Sequence, residues 1–334
     1  MKSCQNAPVF VKVFSFRTPL MAMRTRFTVG FVPTLLPIIA FFCGLLAMLG
    51  GTHAFALDAK KAKAKVSQRG TPDLTKEGEP NLLSHAAVVF DPVTGRALYA
   101  KNADNAMPIA SITKLMTSMV VLDAKMSMDE PIIINTADLD TLKGTRSRLP
   151  VGTAFRREDL MRIALMASDN RAAAALGRSF PGGTPAFVEA MNAKAKQIGL
   201  QNAHFVDPTG LAPGNVASPQ DLALLVAEAS KFPQIREFST TPELHVTLPN
   251  AKRAMGFNNT NALVKNSSWD IGLSKTGYIN EAGKCLVMHA TIGNNPVVIV
   301  LLDSWGKLTR LGDANRIKKW LEHKQVAALA QKNI

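Results

Sequence analysis

Pro108-Ile109-Ala110-Ser111-Ile112-Thr113-Lys114-Leu115-Met116-Thr117 is the stretch from which the rest of the chain can be read. After Pro108, the apolar residues Leu115, Met116, Met119 and Val120 recur on one face of a helix that Ser111 opens. A serine there sits near unpaired backbone N–H groups and the positive end of the helix dipole. Ser111 and Lys114 are three residues apart and share a helical face. A serine hydroxyl is a poor nucleophile until a base takes its proton. A lysine can be that base only where burial or a neighbouring cation lowers its pKa.

Two later motifs complete a constellation. Ser168-Asp169-Asn170 interrupts the helix-like run Glu158 to Ala167, and Lys275-Thr276-Gly277 lies in the strand-like run Gly272 to Tyr278. Lys275 could supply the second cation, or hold an anionic substrate group such as a carboxylate with help from the Thr276 hydroxyl. Gly277 lets a strand backbone approach a substrate closely. The N–H of Tyr278, with that of Ser111, would form an oxyanion hole. Ser168 can relay a proton between Lys114 and a leaving nitrogen, and Asn170 can hold a substrate amide carbonyl. Asp169 either tunes the site or caps the next helix.

Each motif alone is weak. Ser304-Trp305-Gly306-Lys307 repeats the Ser-x-x-Lys spacing, but Ser304 follows the buried-strand pattern Val297 to Leu302 and Gly306 then breaks any helix. The bland alternative for the first set is a helix cap at Ser111, solvated Lys114 and Lys275, and a loop at Ser168 to Asn170. The ordered combination favours an active-serine site in which lysine manages the protons. Other schemes fit poorly. The six histidines form no H-E-x-x-H or His-x-His pattern, and no Cys-x-x-Cys or G-x-S-x-G elbow occurs. No metal or cofactor is expected.

Arg24 and Arg26 precede the mostly apolar stretch Phe27 to Leu49, and Ala54-Phe55-Ala56 gives an A-x-A arrangement. Residues 1–56 therefore read as a secretory signal peptide, with Met21 or Met23 as alternative starts and an uncleaved anchor as the alternative fate. Residues 57–81 read as a basic flexible linker, 82–323 as the catalytic domain and 324–334 as a short tail. The net charge of +14 is partly concentrated at Lys60, Lys61, Lys63 and Lys65. That cluster suits a solvated linker, or attraction to anionic polymers and weak association with the lipid headgroups of a membrane surface. No nucleic-acid-binding module accompanies it, so nucleic acid is not an expected partner. Cys285 reads as a small core residue.

Short strands at Ala86 to Phe90 and Arg96 to Ala100, then helices, then strands at Cys285 to Ile292 and Val297 to Leu302 predict an α+β fold. One antiparallel sheet is assembled from both ends of the chain and flanked by helices, with a helical subdomain. Asp313 to His323 predicts a closing helix.

The longer stretches around the motifs resemble a known family. They are Pro108 to Thr117, Ala164-Leu165-Met166-Ala167-Ser168-Asp169-Asn170-Arg171-Ala172-Ala173, Asp207-Pro208-Thr209-Gly210-Leu211, and Leu273-Ser274-Lys275-Thr276-Gly277-Tyr278. From Leu82 to Glu322 the chain is similar to the low-molecular-mass penicillin-binding proteins of the D-alanyl-D-alanine endopeptidase type, a group whose motif trio is also that of class A β-lactamases. The resemblance implies a β-lactamase/transpeptidase-like fold, a periplasmic location, and hydrolysis of D-alanyl bonds in peptidoglycan stem peptides through an acyl-serine intermediate. It implies covalent inhibition by β-lactams, and it allows weak association with other cell-wall enzymes. Carried over by position, Ser111 is the nucleophile, Lys114 the base, Ser168 and Asn170 the second motif, and Lys275, Thr276 and Gly277 the opposite wall. Carboxypeptidase relatives usually carry a further β-rich domain and an amphipathic C-terminal helix, so the short tail favours an endopeptidase over a D-Ala-D-Ala carboxypeptidase. A β-lactamase would need a carboxylate-activated deacylation water that nothing marks. A non-catalytic wall-binding protein would not need all of Ser111, Lys114 and Lys275.

Overall fold

The first apolar run of the domain and the last lie side by side. In the computed structural model, which describes residues 73–247 and 254–332, β1 (Ala86–Asp91) and β2 (Arg96–Lys101) form a hairpin. The short β3 (Met107–Pro108) leads through a 3-10 turn, Ala110–Thr113, into α1 (Lys114–Asp123). A small pair, β4 (Pro131–Ile133) and β5 (Ala154–Arg156), precedes α2 (Arg157–Met166), α3 (Asn170–Arg178) and α4 (Gly183–Gln197). Next come β6 (Val216–Ala217), which pairs with β3, then α5 (Pro219–Ala229), α6 (Pro233–Thr240) and the hairpin β7 (Glu243–Val246) with β8 (Met255–Asn258). The chain closes with β9 (Asp270–Ile279), β10 (Gly283–Ile292), β11 (Asn295–Ser304) and α7 (Thr309–Lys332).

The main sheet is antiparallel, in the order β2-β1-β11-β10-β9. Ala86 pairs with Leu302 and Phe90 with Val298, so strands from the two ends of the domain form its centre. These strands are apolar on both faces because both faces are covered. Val88, Val287, Val298 and Val300 point into a core with α1, α2, α3 and α5, and Val89, Leu286, Ile299 and Leu301 pack under Ala314, Ile317 and Trp320 of α7. The α+β architecture expected from the sequence is present, with its helical part inserted between β2 and β9. Among the described residues, no helix is long and apolar enough to cross a membrane.

Two boundaries differ from the sequence reading. Residues 73–81, assigned to the linker, are folded onto α7. Leu74 bridges Pro80, and the Asp73 carboxylate meets Lys319 Nζ at 2.8 Å and Arg316 Nε at 3.9 Å. Their polar composition resembles a linker, but the charges they need are supplied from the far end of the chain. The closing helix starts at Thr309 and runs to Lys332 rather than spanning Asp313 to His323. The assigned tail is rich in Ala, Lys, Gln and Leu, good helix formers that extend it. The signal-peptide segment 1–56 and linker residues 57–72 lie outside the described residues.

α5 and α6 had no counterpart in the sequence reading, although α5 carries a full start signal. Ser218 caps it, Pro219 fills its first turn, and Asp221 closes a capping box.

Candidate active site

Ser111 stands in the 3-10 turn, not at the N-terminus of a regular helix, which begins at Lys114. In a 3-10 turn, side chains three apart eclipse each other. Lys114 Nζ accordingly lies 2.8 Å from Ser111 Oγ. The Lys114 side chain is fully buried and also donates to Asn170 Oδ1 at 2.7 Å and to the carbonyl of Thr209 at 2.6 Å. Burial pulls its pKa down to about 7, against the opposing charges of Asp207, Asp169 and Asp140. Asn170 Oδ1 and the Thr209 carbonyl can only accept, so they take two N–H groups. In the neutral amine, the lone pair is what remains to face Ser111 Oγ. A base and a hydroxyl are thus in hydrogen-bond contact.

The other wall is β9, an edge strand of the sheet. Lys275 is buried, and its Nζ donates to Ser168 Oγ at 2.8 Å and to its neighbour's carbonyl, that of Thr276, at 3.0 Å. Burial first, then the charges of Lys114 and Arg310, hold its pKa well below the ordinary lysine value. Ser168 therefore takes its hydrogen bond from Lys275. Thr276 Oγ1 donates to Thr260 Oγ1 at 2.7 Å. Gly277 has no room for a side chain, since a Cβ there would lie 2.9 Å from the Ile109 carbonyl and 3.1 Å from the Ser111 nitrogen. That approach brings the β9 backbone against Ser111, as an oxyanion hole shared by Ser111 and Tyr278 requires. Tyr278 itself is exposed, with its hydroxyl donating to Asn280 Oδ1 and Lys284 Nζ 4.9 Å from its ring centre.

The sequence from residue 73 to 306 matches the family described as D-alanyl-D-alanine carboxypeptidase. The chain belongs to that family of serine peptidases. It is 47% identical over 251 residues to the D-alanyl-D-alanine endopeptidase of Pseudomonas aeruginosa, covering 75% of this chain and 81% of that one. It is 43% identical over 252 residues to the D-alanyl-D-alanine endopeptidase of Escherichia coli, with coverages of 75% and 81%. The crystal structure of the Streptomyces K15 DD-transpeptidase superposes with a TM-score of 0.67 at 29% identity, covering 72% of this chain and 97% of that one.

In this D-alanyl-D-alanine peptidase, several groups at the site were given no role by the sequence reading. The Thr209 carbonyl is aimed by Asp207, whose carboxylate accepts from the N–H groups of Thr209, Gly210 and Ala212 and from Asn215 Nδ2. Gly210, at φ +81°, lets this loop close on Ala110, because a Cβ would fall 2.0 Å from the Ala110 carbonyl oxygen. A second relay starts at Asp140. Its carboxylate takes the Thr145 hydroxyl hydrogen at 2.6 Å, leaving Thr145 Oγ1 to accept from Asn170 Nδ2 at 2.9 Å. That order of donors turns Asn170 Oδ1 toward Lys114. Ala110 and Ser168 both hold left-handed φ values, +48° and +60°, on either side of the site. Such backbone costs on the order of 1 kcal/mol per residue and clusters where function fixes geometry.

The remaining assignments resolve simply. Asp169 caps α3, its carboxylate accepting from the Ala172 N–H at 3.0 Å, and its charge also opposes the lowering of the Lys114 pKa. Ser304, of the second Ser-x-x-Lys, is buried at the end of β11 and shares a hydrogen bond with the Ser84 hydroxyl. Cys285 is buried, and burial pushes its thiol up to about 11.

Proposed function

We propose that the chain is a periplasmic serine-type endopeptidase that hydrolyses D-alanyl–diaminopimelate cross-links of peptidoglycan through an acyl-serine intermediate. The observation that carries the reading is the contact of a buried lysine, poised to be neutral near pH 7, with the Ser111 hydroxyl. Lys114 takes the Ser111 proton as Oγ attacks the D-alanyl carbonyl carbon. The developing oxyanion is held by the N–H groups of Ser111 and Tyr278. Lys275 and Thr276 hold the carboxylate beside the scissile bond on the leaving side, while Asn170 holds an amide carbonyl of the stem peptide. Ser168 relays to the departing nitrogen the proton that Lys114 took from Ser111, which leaves Lys114 neutral. Water then hydrolyses the ester with Lys114 again acting as base, which restores Ser111. Penicillins enter by the same attack and stay as the ester.

The endopeptidase preference is supported by the names of the relatives at 47% and 43% identity, and the periplasmic location by the signal-like segment 1–56. The test is mass analysis of purified cross-linked muropeptide dimers after incubation with the protein, beside a Ser111→Ala control. Conversion to monomers by the wild type alone is expected. Loss of only a terminal alanine would make the protein a carboxypeptidase. Penicillin labelling of Ser111→Ala would refute the nucleophile.

A further inference from the structure

The groove between β9 and the loop of residues 140–148 has two unlike ends. Near Tyr278, the ion pair of Lys143 Nζ with Glu281 Oε1 at 2.5 Å spans from the loop to the turn after β9. In the middle, Thr145 meets Asn170. At the other end, the loop reaches β8, where the Arg148 guanidinium lies 5.8 Å from the Phe257 ring centre. A cavity of about 570 Å³ opens there, lined by Arg146, Arg148, Ala167, Asp169, Phe257 and Asn258. It borders the catalytic groove, because Ala167 and Asp169 flank Ser168. Its Asn258 precedes by two residues Thr260, whose hydroxyl accepts from Thr276, so the cavity lies on the Thr276 side of Ser111.

Its wall is cationic. Arg156, Arg157, Arg162 and Arg178 are each committed to carboxylates. Arg146 and Arg148 are exposed and have no carboxylate partner among the described residues. The single acid in the wall, Asp169, is committed to capping α3. A guanidinium over a ring keeps its in-plane N–H groups available for a carboxylate.

The position on the leaving-group side decides what the cavity can receive. A released D-alanine ends at the carboxylate that Lys275 and Thr276 hold. A cross-linked substrate instead continues from that point, through the diamino acid, into a second stem peptide that carries further carboxylates. We infer that Arg146 and Arg148 form a subsite for a carboxylate of that second stem peptide, and so favour cross-linked dimers over terminal D-alanine. This inference rests on the endopeptidase reading above.

The test compares wild type with Arg146→Gln, Arg148→Gln and the double variant on three reactions: cleavage of a cross-linked tetrapeptide dimer, trimming of a monomeric pentapeptide, and acylation by a fluorescent penicillin. The double variant is expected to lose about 10- to 100-fold in kcat/KM on the dimer, mainly through KM, as for charge-assisted hydrogen bonds. Pentapeptide trimming and penicillin acylation should be unchanged. Equal losses on all three reactions, or no loss on the dimer, would overturn the subsite. A second readout is NMR titration of a free tetrapeptide stem into the Ser111→Ala protein, where the arginine variants should abolish binding. Retained binding would overturn the subsite even if the wild type proved to trim pentapeptides and spare dimers, an outcome that would separately refute the endopeptidase reading.

Discussion

Acidification should switch off acylation along a curve set by Lys114. Its pKa of about 7 means that the base is mostly neutral at about pH 8 and mostly protonated at about pH 5. The neutral fraction falls from roughly nine-tenths to roughly one-hundredth, so the second-order rate constant for acylation should drop roughly 90-fold, with a slope near tenfold per pH unit on the acid side. The buried Lys275 titrates in contact with the same site, so the measured limb belongs to the pair. Asp169→Asn separates charge from structure. Asparagine caps a helix as well as aspartate does, while the lost charge no longer raises the Lys114 pKa. Its acid limb should therefore move to lower pH, leaving the variant faster than wild type in acid. The assay is stopped-flow acylation by a labelled penicillin across that pH range, with circular dichroism to confirm folding at each point. A wild-type rate that stays flat down to about pH 5 would refute Lys114 as the base. A limb displaced toward alkaline pH in Asp169→Asn would refute the electrostatic account.

Gly277→Ala should cut acylation by about 10²- to 10³-fold, because its Cβ would press on Ile109 and Ser111 and part the oxyanion donors; near-normal labelling would count against the close approach. Thr145→Val removes both the acceptor for Asn170 and the donor to Asp140, so acylation should fall about tenfold with a stability loss near 1 kcal/mol, and Thr145→Ser should restore it. Lys114→Met should change how stability varies with pH. Between about 7 and 10.5 the unfolded chain binds a proton at Lys114 that the folded state does not, so wild-type stability rises with pH across that window. The cost is fully present below about 7 and gone above 10.5. Urea unfolding at about pH 7 and pH 9 should show a wild-type gain about 2 kcal/mol larger than the variant's, and equal gains would contradict a depressed lysine. Asp313→Ala strands the N–H groups of Leu83 and Ser84 and leaves the Ser84 hydroxyl only Ser304, for a loss of about 2 kcal/mol measurable by the same method.

The grouping of the candidate site residues was legible because reactive groups of this kind come as side chains at fixed spacing. Ser111 and Lys114, Ser168 and Asn170, and Lys275 converge as their motifs implied. The sheet was legible because β1 and β11 are covered on both faces and read as unbroken apolar runs. What escaped was conformation and backbone. Nothing in a threonine predicts that its carbonyl will hold a lysine, as Thr209 does. Nothing in Ala110 announces a left-handed φ. The docking of residues 73–81 depends on charges of α7 that composition near the N-terminus cannot reveal.

The pairing of the first strand with the last delays activity until the chain is finished. The Ser84 N–H meets the Asp313 carboxylate 229 residues away, and β1 has no partner on its inner side until β11 exists. Contacts of such separation form late, since the loop between them must close first. A nascent chain that already contains Ser111 and Lys114 lacks the packed sheet that buries the amine. In water that lysine keeps its ordinary pKa of 10.5, stays protonated, and cannot take the serine proton. The hydrolase thereby becomes a base-equipped enzyme only at the moment the two ends of its domain meet.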